Sequence, residues 1–110
     1  MNESAIQRAV VQHLQARARK NVCWFHVANN PRNAIAGANL KKMGAVAGVA
    51  DLIFLHQGEA FALELKTEDG RWSDSQKEFA ERWQRARGYY GVAYGLDEAL
   101  EWLKQQGLIE

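Results

Sequence analysis

Two acidic residues and a lysine fall at the ends of two neighbouring apolar stretches that could pair as strands. If the chain reverses at Gln57-Gly58, Asp51 lies directly opposite Glu64, and the Cβ atoms of such a pair are about 4.5–5.5 Å apart. Because side chains alternate along a strand, Lys66 points to the same face as Glu64. The spacing therefore predicts two carboxylates and an ammonium group clustered on one face of a sheet.

Like charges directly opposite each other destabilise a sheet, so this carboxylate pair needs a compensating charge. A divalent cation is one solution, and carboxylate oxygens suit Mg²⁺ or Mn²⁺. Leu65 can add its backbone carbonyl oxygen, and Lys66 would orient or deprotonate an attacking water, or stabilise charge on a phosphate. The alternative is a structural ion cluster in which Lys66 neutralises the two acids. Spacing alone does not separate these two interpretations.

Glu3 and Gln76 are further polar candidates, and each also has a structural explanation. Glu3 shares a helix face with Ile6, which lets it reach the sheet, but an acid in a first helical turn also interacts favourably with the helix dipole. Gln76 follows Ser73 by three residues and so completes a capping box. His26 is interpreted as a packed strand residue. The sequence lacks the Cys/His spacing of zinc sites, a glycine-rich phosphate loop and a recognisable Ser/His/Asp triad.

Hydrophobic periodicity and turn signals predict the element order α-β-β-β-α-β-α, an α/β fold with helices on the faces of its sheet. Three strands form a meander, and a helical crossover returns the fourth strand parallel to a neighbour. Both faces of the central hairpin are mostly apolar, so both are expected to be covered. A long basic loop over 28–48 is expected to be functional. The predicted helices cover 4–19, 73–87 and 97–106, and the predicted strands cover 22–27, 49–55, 60–66 and 89–94.

The 110 residues correspond to one domain, predicted to span 1–110 without a linker or a repeat. The composition, 47% hydrophobic and 25% charged, is typical of a soluble globular protein. No stretch approaches the ~20 apolar residues of a membrane span, so no membrane partner is expected. The single cysteine, Cys23, is interpreted as a core thiol, which fits a reducing, cytoplasmic setting.

The net charge of +1 hides an uneven distribution along the chain. Residues 1–50 carry seven basic side chains and one acidic one, whereas residues 51–110 carry seven basic and twelve acidic ones. A basic half suits a polyanionic partner such as a nucleic acid. Two ordinary solvated faces would have the same composition, so charge leaves this question open.

Three motifs carry a family resemblance, and they read Gly48-Val49-Ala50-Asp51-Leu52-Ile53, Glu64-Leu65-Lys66-Thr67 and Ser73-Asp74-Ser75-Gln76. They resemble the motifs of PD-(D/E)XK nucleases, and most closely those of the virus-type replication-repair branch, the VRR-NUC domains. The resemblance extends to Glu3-Ser4-Ala5-Ile6-Gln7 and to Gly88-Tyr89-Tyr90-Gly91-Val92, and so covers nearly the whole chain. Ala50 replaces a proline that often precedes the aspartate, which removes backbone rigidity but no ligand.

The resemblance implies a restriction-endonuclease-like α-β-β-β-α-β core with a mixed four-stranded sheet and an added C-terminal helix. It also implies Mg²⁺- or Mn²⁺-dependent endonucleolytic hydrolysis of DNA phosphodiester bonds. The implied metal ligands are Asp51, Glu64, the carbonyl of Leu65, and Glu3, the last through water or a second metal. The implied catalytic residues are Asp51, Glu64, Lys66, Gln76 and Glu3.

DNA would be held through its backbone by the basic half of the chain. The expected contacts are Arg8, Asn29, Asn30, Arg32, Lys41 and Lys42. Phosphate contacts position DNA without reading its sequence, and no base-reading module is evident. We therefore expect selectivity for branched DNA such as four-way junctions or flaps, in replication or repair, and a homodimer that presents two sites. The competing interpretations are a non-catalytic DNA-binding module and a docking subunit of a larger replication or repair enzyme.

Overall fold

A computed structural model describes residues 1–28 and 32–110 of the chain. Within them, four strands form one sheet in the order β1-β2-β3-β4, with antiparallel pairing except between β3 and β4, which are parallel. The predicted mixed four-stranded sheet flanked by helices is therefore confirmed. The elements are α1 (Glu3–Arg17), β1 (Cys23–His26), α2 (Ala34–Lys42), β2 (Leu52–His56), β3 (Glu59–Lys66), α3 (Asp74–Arg85), β4 (Tyr89–Tyr94) and α4 (Leu96–Gln105).

The segment that was predicted to be one long loop, 28–48, contains helix α2. Asn33 begins it, because its side-chain Oδ1 accepts a hydrogen bond from the amide of Ala36 at 2.9 Å. The prediction was wrong here because asparagine served as a turn signal, whereas Asn33 is a helix cap. Gly44, with a φ of 99°, follows the helix end. None of the nine residues of α2, all of them described, is buried.

Helix α1 begins at Glu3, one residue before the predicted start at Ser4. Asn2 is the N-cap, since its Oδ1 accepts a hydrogen bond from the amide of Ala5 at 2.8 Å. Both Asn and Ser are good caps, and here the earlier one is used, which places Glu3 in the first turn. The buried residues of this helix are Ile6, Val10 and Leu14, which recur every four positions along one face.

The hairpin that joins β2 to β3 has the predicted register. Gln57 and Gly58 both have positive φ, at 51° and 78°, which is the requirement of a tight two-residue turn. Leu52 pairs with Leu63 and Ile53 with Ala62, symmetrically about that turn. Strand β2 is shorter than predicted, so Asp51 lies one residue before its start.

The two faces of the sheet are covered unequally. One face packs against α1 and α4 and carries the buried core residues Leu52, Phe54, Leu63 and Leu65. The other face is covered by α3 over β4, where Phe79 of α3 lies 6.3 Å from Tyr90 between ring centroids. Helices α1 and α3 thus lie on opposite sides of the strand ends that carry the acidic residues.

Beyond α3, the second face is open along β1 and β2, which corrects two predictions. Phe25 on β1 is 51% exposed and Leu55 on β2 is 52% exposed, so this face of the two strands is not covered. Cys23, paired with Leu55 on the same face, is exposed as well, and the interpretation as a core thiol was wrong. An apolar run in sequence reports that a strand is apolar on both faces, but not how far a helix extends over it.

Gly48 brings the segment before β2 against the start of α3. A Cβ at this position would overlap the backbone carbonyl oxygen of Ser75 and lie 2.6 Å from the amide nitrogen of Gln76. The φ of Gly48 is also positive, at 80°. Glycine is therefore needed here for both space and conformation.

We expect Gly48→Ala to lower the free energy of unfolding by about 1–3 kcal/mol more than Gly44→Ala does. Both glycines have positive φ, so both substitutions introduce backbone strain, but no atom lies within 4 Å of a Cβ at Gly44. The difference between the two variants therefore isolates the overlap with α3. Urea unfolding measures it, and equal losses in the two variants would contradict the close approach described here.

Candidate active site

Asp51 and Glu64 meet where β2 begins and β3 approaches its end. The Oδ2 of Asp51 accepts a hydrogen bond from the backbone amide of Leu65 at 2.8 Å, which ties the aspartate to the neighbouring strand. Glu64 is 2% exposed and lies on β3, where it pairs with Val92 of β4. The structure thus brings together the two carboxylates that the hairpin register placed opposite each other.

Glu64 is strongly perturbed by its surroundings. Burial raises its pKa to about 8, and the negative charge of Asp51 and a hydrogen bond with that carboxyl raise it as well. The positive charge of Lys66 acts in the opposite direction, and the charge of Glu3 adds a smaller rise. Without a cation, the pair therefore holds a proton near neutral pH, because a buried carboxylate beside a second carboxylate does not ionise easily.

Lys66 ends β3 on the same face as Glu64. Its Nζ lies 3.7 Å from Glu64 Oε2, and the residue is 7% exposed. The backbone carbonyl of Lys66 accepts a hydrogen bond from the amide of Gly95 at 2.8 Å, just after β4. The lysine is therefore held at the sheet, close to both the carboxylates and the solvent boundary.

Gln76 joins the start of α3 to the carboxylate pair. Its side-chain Oε1 accepts a hydrogen bond from the backbone amide of Ser73 at 2.9 Å, and its backbone amide donates to Ser73 Oγ. These two hydrogen bonds form the predicted capping box. Its Nε2 donates to Glu64 Oε2 at 3.0 Å. One side chain thus both caps a helix and contacts the site, as its position in the sequence suggested.

The two carboxylates lie in a cleft of about 740 Å³ between the start of α1 and the start of α3. Glu3, although exposed, lines this cleft, as the helix face predicted. The remaining lining residues are Ser4, Gln7, Arg8, Val11, Gln12, His26, Val27, Gly48, Val49, Ser73, Ser75 and Gln76.

The donor set suits a hard divalent cation held by few protein ligands. Among residues 1–28 and 32–110, no three His, Cys, Asp or Glu side chains converge closely enough to chelate an ion on their own. Asp51 and Glu64 nevertheless supply adjacent carboxylates, and the carbonyl of Leu65 is a further oxygen donor. Mg²⁺ and Mn²⁺ accept such sparse oxygen sites and complete their coordination with water.

The predicted DNA contacts divide into three groups. Arg8 lines the cleft beside Glu3. Arg32, Lys41 and Lys42 are exposed at the two ends of α2 and are absent from the described lining of the cleft. The predicted contacts Asn29 and Asn30 fall outside the described residues.

His26 was expected to be a packed strand residue, and that was wrong. It is exposed at the end of β1, lines the cleft, and has its Nδ1 2.7 Å from the backbone oxygen of Asp51. The sequence offered no signal for this contact. A long connection joins β1 to β2, so no tight turn fixes which residues of the two strands pair.

Tyr90 is a second residue that sequence reasoning did not single out. It lies on β4 under α3, where the Trp72 indole N–H donates to its hydroxyl at 3.4 Å. Burial raises the pKa of Tyr90 to about 12, the Trp72 hydrogen bond lowers it, and the charges of Glu64 and Asp51 raise it further. The two carboxylates therefore act electrostatically on Tyr90, which packs against Trp72 and Phe79.

A solved structure described as a VRR_NUC domain protein superposes on this chain with a TM-score of 0.74. The likeness covers 96% of this chain and 87% of that chain, at 22% sequence identity. This chain has the VRR-NUC fold. No protein-family model and no curated protein matches it. The VRR-NUC fold is what the motifs around Asp51, Glu64 and Gln76 implied.

No helix within the described residues is long and apolar enough to cross a membrane.

The raised pKa of Glu64 predicts how stability changes with pH in metal-free protein. A pKa of about 8 in the folded state, against an ordinary 4.5, means that the folded state binds the proton more tightly. This stabilisation is complete below about pH 4.5 and is lost as the pH rises through 8. We therefore expect Tm in EDTA to fall between pH 5 and pH 8.5, and expect Glu64→Gln to flatten that fall.

Glu78→Gln is the matched control, since Glu78 is an exposed carboxylate on α3. It should retain the pH dependence of the wild type. The same fall of Tm in Glu64→Gln as in the wild type would show that another group is responsible. Mn²⁺ should raise Tm more at pH 8.5 than at pH 6, because metal and proton compete for the same carboxylates.

Proposed function

We propose that this chain is a Mg²⁺- or Mn²⁺-dependent endonuclease that hydrolyses phosphodiester bonds in DNA. The observation that carries the proposal is the buried Glu64 paired with the half-buried Asp51 and with Lys66 beside it, facing an open cleft. The VRR-NUC fold supports the same conclusion. A buried carboxylate beside a second carboxylate is costly in a purely structural role, whereas a metal-binding role explains it.

Asp51, Glu64 and the backbone carbonyl of Leu65 would hold the cation. A bound Mg²⁺ or Mn²⁺ would polarise a phosphate oxygen and lower the pKa of a bound water. Gln76 keeps Glu64 oriented through its Nε2 hydrogen bond. The amide of Leu65 does the same for Asp51 from the other strand.

Lys66 would act on the reacting groups directly. Its ammonium lies 3.7 Å from Glu64, and once the carboxylate charge is shared with a cation it can donate to a phosphate oxygen or orient the attacking water. Charge that develops on the phosphate in the transition state would then be stabilised by a fixed donor. Glu3, at the rim of the cleft, would contribute through water or a second metal ion.

Arg8 and the basic residues of the α2 region would hold the DNA backbone. Such contacts position a duplex without reading bases, so we propose selectivity for the shape of branched DNA over a sequence. A homodimer would present two such clefts to a four-way junction. Asn29 and Asn30 stay predicted contacts.

Asp51→Asn, Glu64→Gln and Lys66→Met should each lower kcat for DNA cleavage by about 100-fold or more. Each substitution preserves approximate size while removing a ligand charge or the ammonium group. Cleavage by the wild type should require Mg²⁺ or Mn²⁺ and stop in EDTA. The measurement is single-turnover cleavage of end-labelled DNA, with DNA affinity determined in parallel by fluorescence anisotropy.

Lys77→Met provides the matched control for Lys66→Met, because Lys77 lies on α3 over the Trp72 ring and outside the carboxylate cluster. Lys77→Met should cleave DNA at the wild-type rate. Wild-type cleavage by Asp51→Asn, Glu64→Gln and Lys66→Met alike would overturn the assignment of these residues to the active site. DNA binding without metal-dependent nicking in the wild type would instead identify a non-catalytic module, in which Lys66 pairs with Glu64 as a structural ion pair.

A substrate panel tests the contacts to DNA. We expect branched DNA, presented as flapped and four-way substrates, to be cut faster than linear or nicked duplex of the same length. DNA affinity should fall steeply with salt, and Arg8→Ala should reduce the slope of log K against log salt by about 1. Lys104→Ala, on the last turn of α4, should leave the slope unchanged. Equal slopes in wild type and Arg8→Ala would remove Arg8 from the interface.

A further inference from the structure

The backbone carbonyl of Asp51 accepts two hydrogen bonds from the end of β1. The amide of Val27 donates at 3.2 Å, and Nδ1 of His26 lies 2.7 Å from the same oxygen. A carbonyl oxygen can only accept, so Nδ1 carries a hydrogen and is the donor. The carboxylate of Asp51 accepts from the amide of Leu65 on the other side. Asp51 is therefore held between β1 and β3.

These contacts matter because Asp51 lies beyond the regular pairing of β1 with β2. The last pair of that ladder joins His26 to Leu52, and β2 begins at Leu52. Asp51 is thus half-buried, one residue before the start of β2, beside the buried carboxyl group of Glu64. When both groups are ionised, their repulsion favours movement of Asp51 toward solvent, and the hydrogen bonds to its carbonyl oxygen oppose that movement by fixing its backbone.

We propose that His26 is a positioning residue for Asp51. Its imidazole holds the Asp51 backbone so that the carboxylate stays between the Leu65 amide and Glu64. His26 is exposed, so it contributes little to the core, and its position in the cleft wall is explained by this contact. The consequence for metal binding and cleavage rests on the proposed function, whereas the effect on the geometry of Asp51 does not.

Three substitutions separate the hydrogen bond from other roles of the ring. Asparagine places an amide N–H close to the position of Nδ1, glutamine reaches that of Nε2, and alanine provides no donor. We therefore expect His26→Asn to behave like the wild type, and His26→Gln to behave like His26→Ala. His56→Ala is the matched control, since His56 Nδ1 lies 3.3 Å from the backbone oxygen of Asn21 at the other end of β2.

Hydrogen exchange of the Leu65 amide in metal-free protein is the first measurement, because that amide donates to the Asp51 carboxylate. We expect exchange at Leu65 to become about tenfold faster in His26→Ala and His26→Gln, relative to the amide of Leu63. It should stay within about twofold of the wild type in His26→Asn and His56→Ala. Unchanged protection at Leu65 in His26→Ala would overturn the proposal, whether or not the protein is a nuclease.

The affinity for Mn²⁺ and the cleavage kinetics are the second measurement. Substitution of a residue that orients a metal ligand typically lowers metal affinity by about 10–100-fold, so His26→Ala should weaken Mn²⁺ binding by about tenfold. It should lower kcat and leave KM for DNA within about twofold. If His26→Gln retains cleavage and His26→Asn does not, Nε2 of His26 contacts the substrate and the positioning role is overturned. A wild type that neither binds Mn²⁺ nor cuts would refute the proposed function alone.

Discussion

The arrangement of this molecule depends on one electrostatic constraint, the close approach of the buried Glu64 carboxyl group to the half-buried carboxylate of Asp51. Burying an unpaired charge is costly, and the pKa of about 8 for Glu64 indicates that its burial beside Asp51 favours a bound proton. The surroundings are organised around that pair. The Leu65 amide and the Gln76 side chain each donate one hydrogen bond to it, and Lys66 adds a positive charge. These partners come from β3 and from the start of α3, so the surroundings of the pair depend on both elements.

Much of this arrangement followed from local rules of sequence. The Gln57-Gly58 turn requires positive φ at both positions, and that requirement fixes the hairpin register which sets Asp51 opposite Glu64. The capping box of α3 is equally local, and it places Gln76 at the helix start that faces the sheet. Interactions between residues a few positions apart, or across a tight turn, can be derived from sequence because few alternative geometries compete with them.

The features that sequence reasoning missed depend on packing between distant segments. His26 meets the backbone of Asp51 because β1 pairs with β2 across a long connection, for which no turn rule sets the register. The side chains of Phe25 and Leu55 are exposed because α3 lies over β4 and leaves this face of β1 and β2 uncovered, which apolar patterning does not encode. Helix α2 was missed for a different reason, because a capping asparagine and a turn-forming asparagine look alike in sequence until the following residues are seen to be helical.

The same distinction explains why an Asp followed by Glu-x-Lys is a weak motif when it stands alone. Glu64 and Lys66 share a face through strand alternation, which any strand provides. The turn register sets Asp51 opposite Glu64, and further contacts hold it there. The end of β1 donates to its carbonyl, β3 donates to its carboxylate, and Gly48 lets the preceding segment approach α3 without a side chain in between. Each of these contacts comes from a different part of the chain. The specificity of the site therefore lies in the tertiary contacts that converge on Asp51, and a motif search that scores only the charged residues leaves those contacts out.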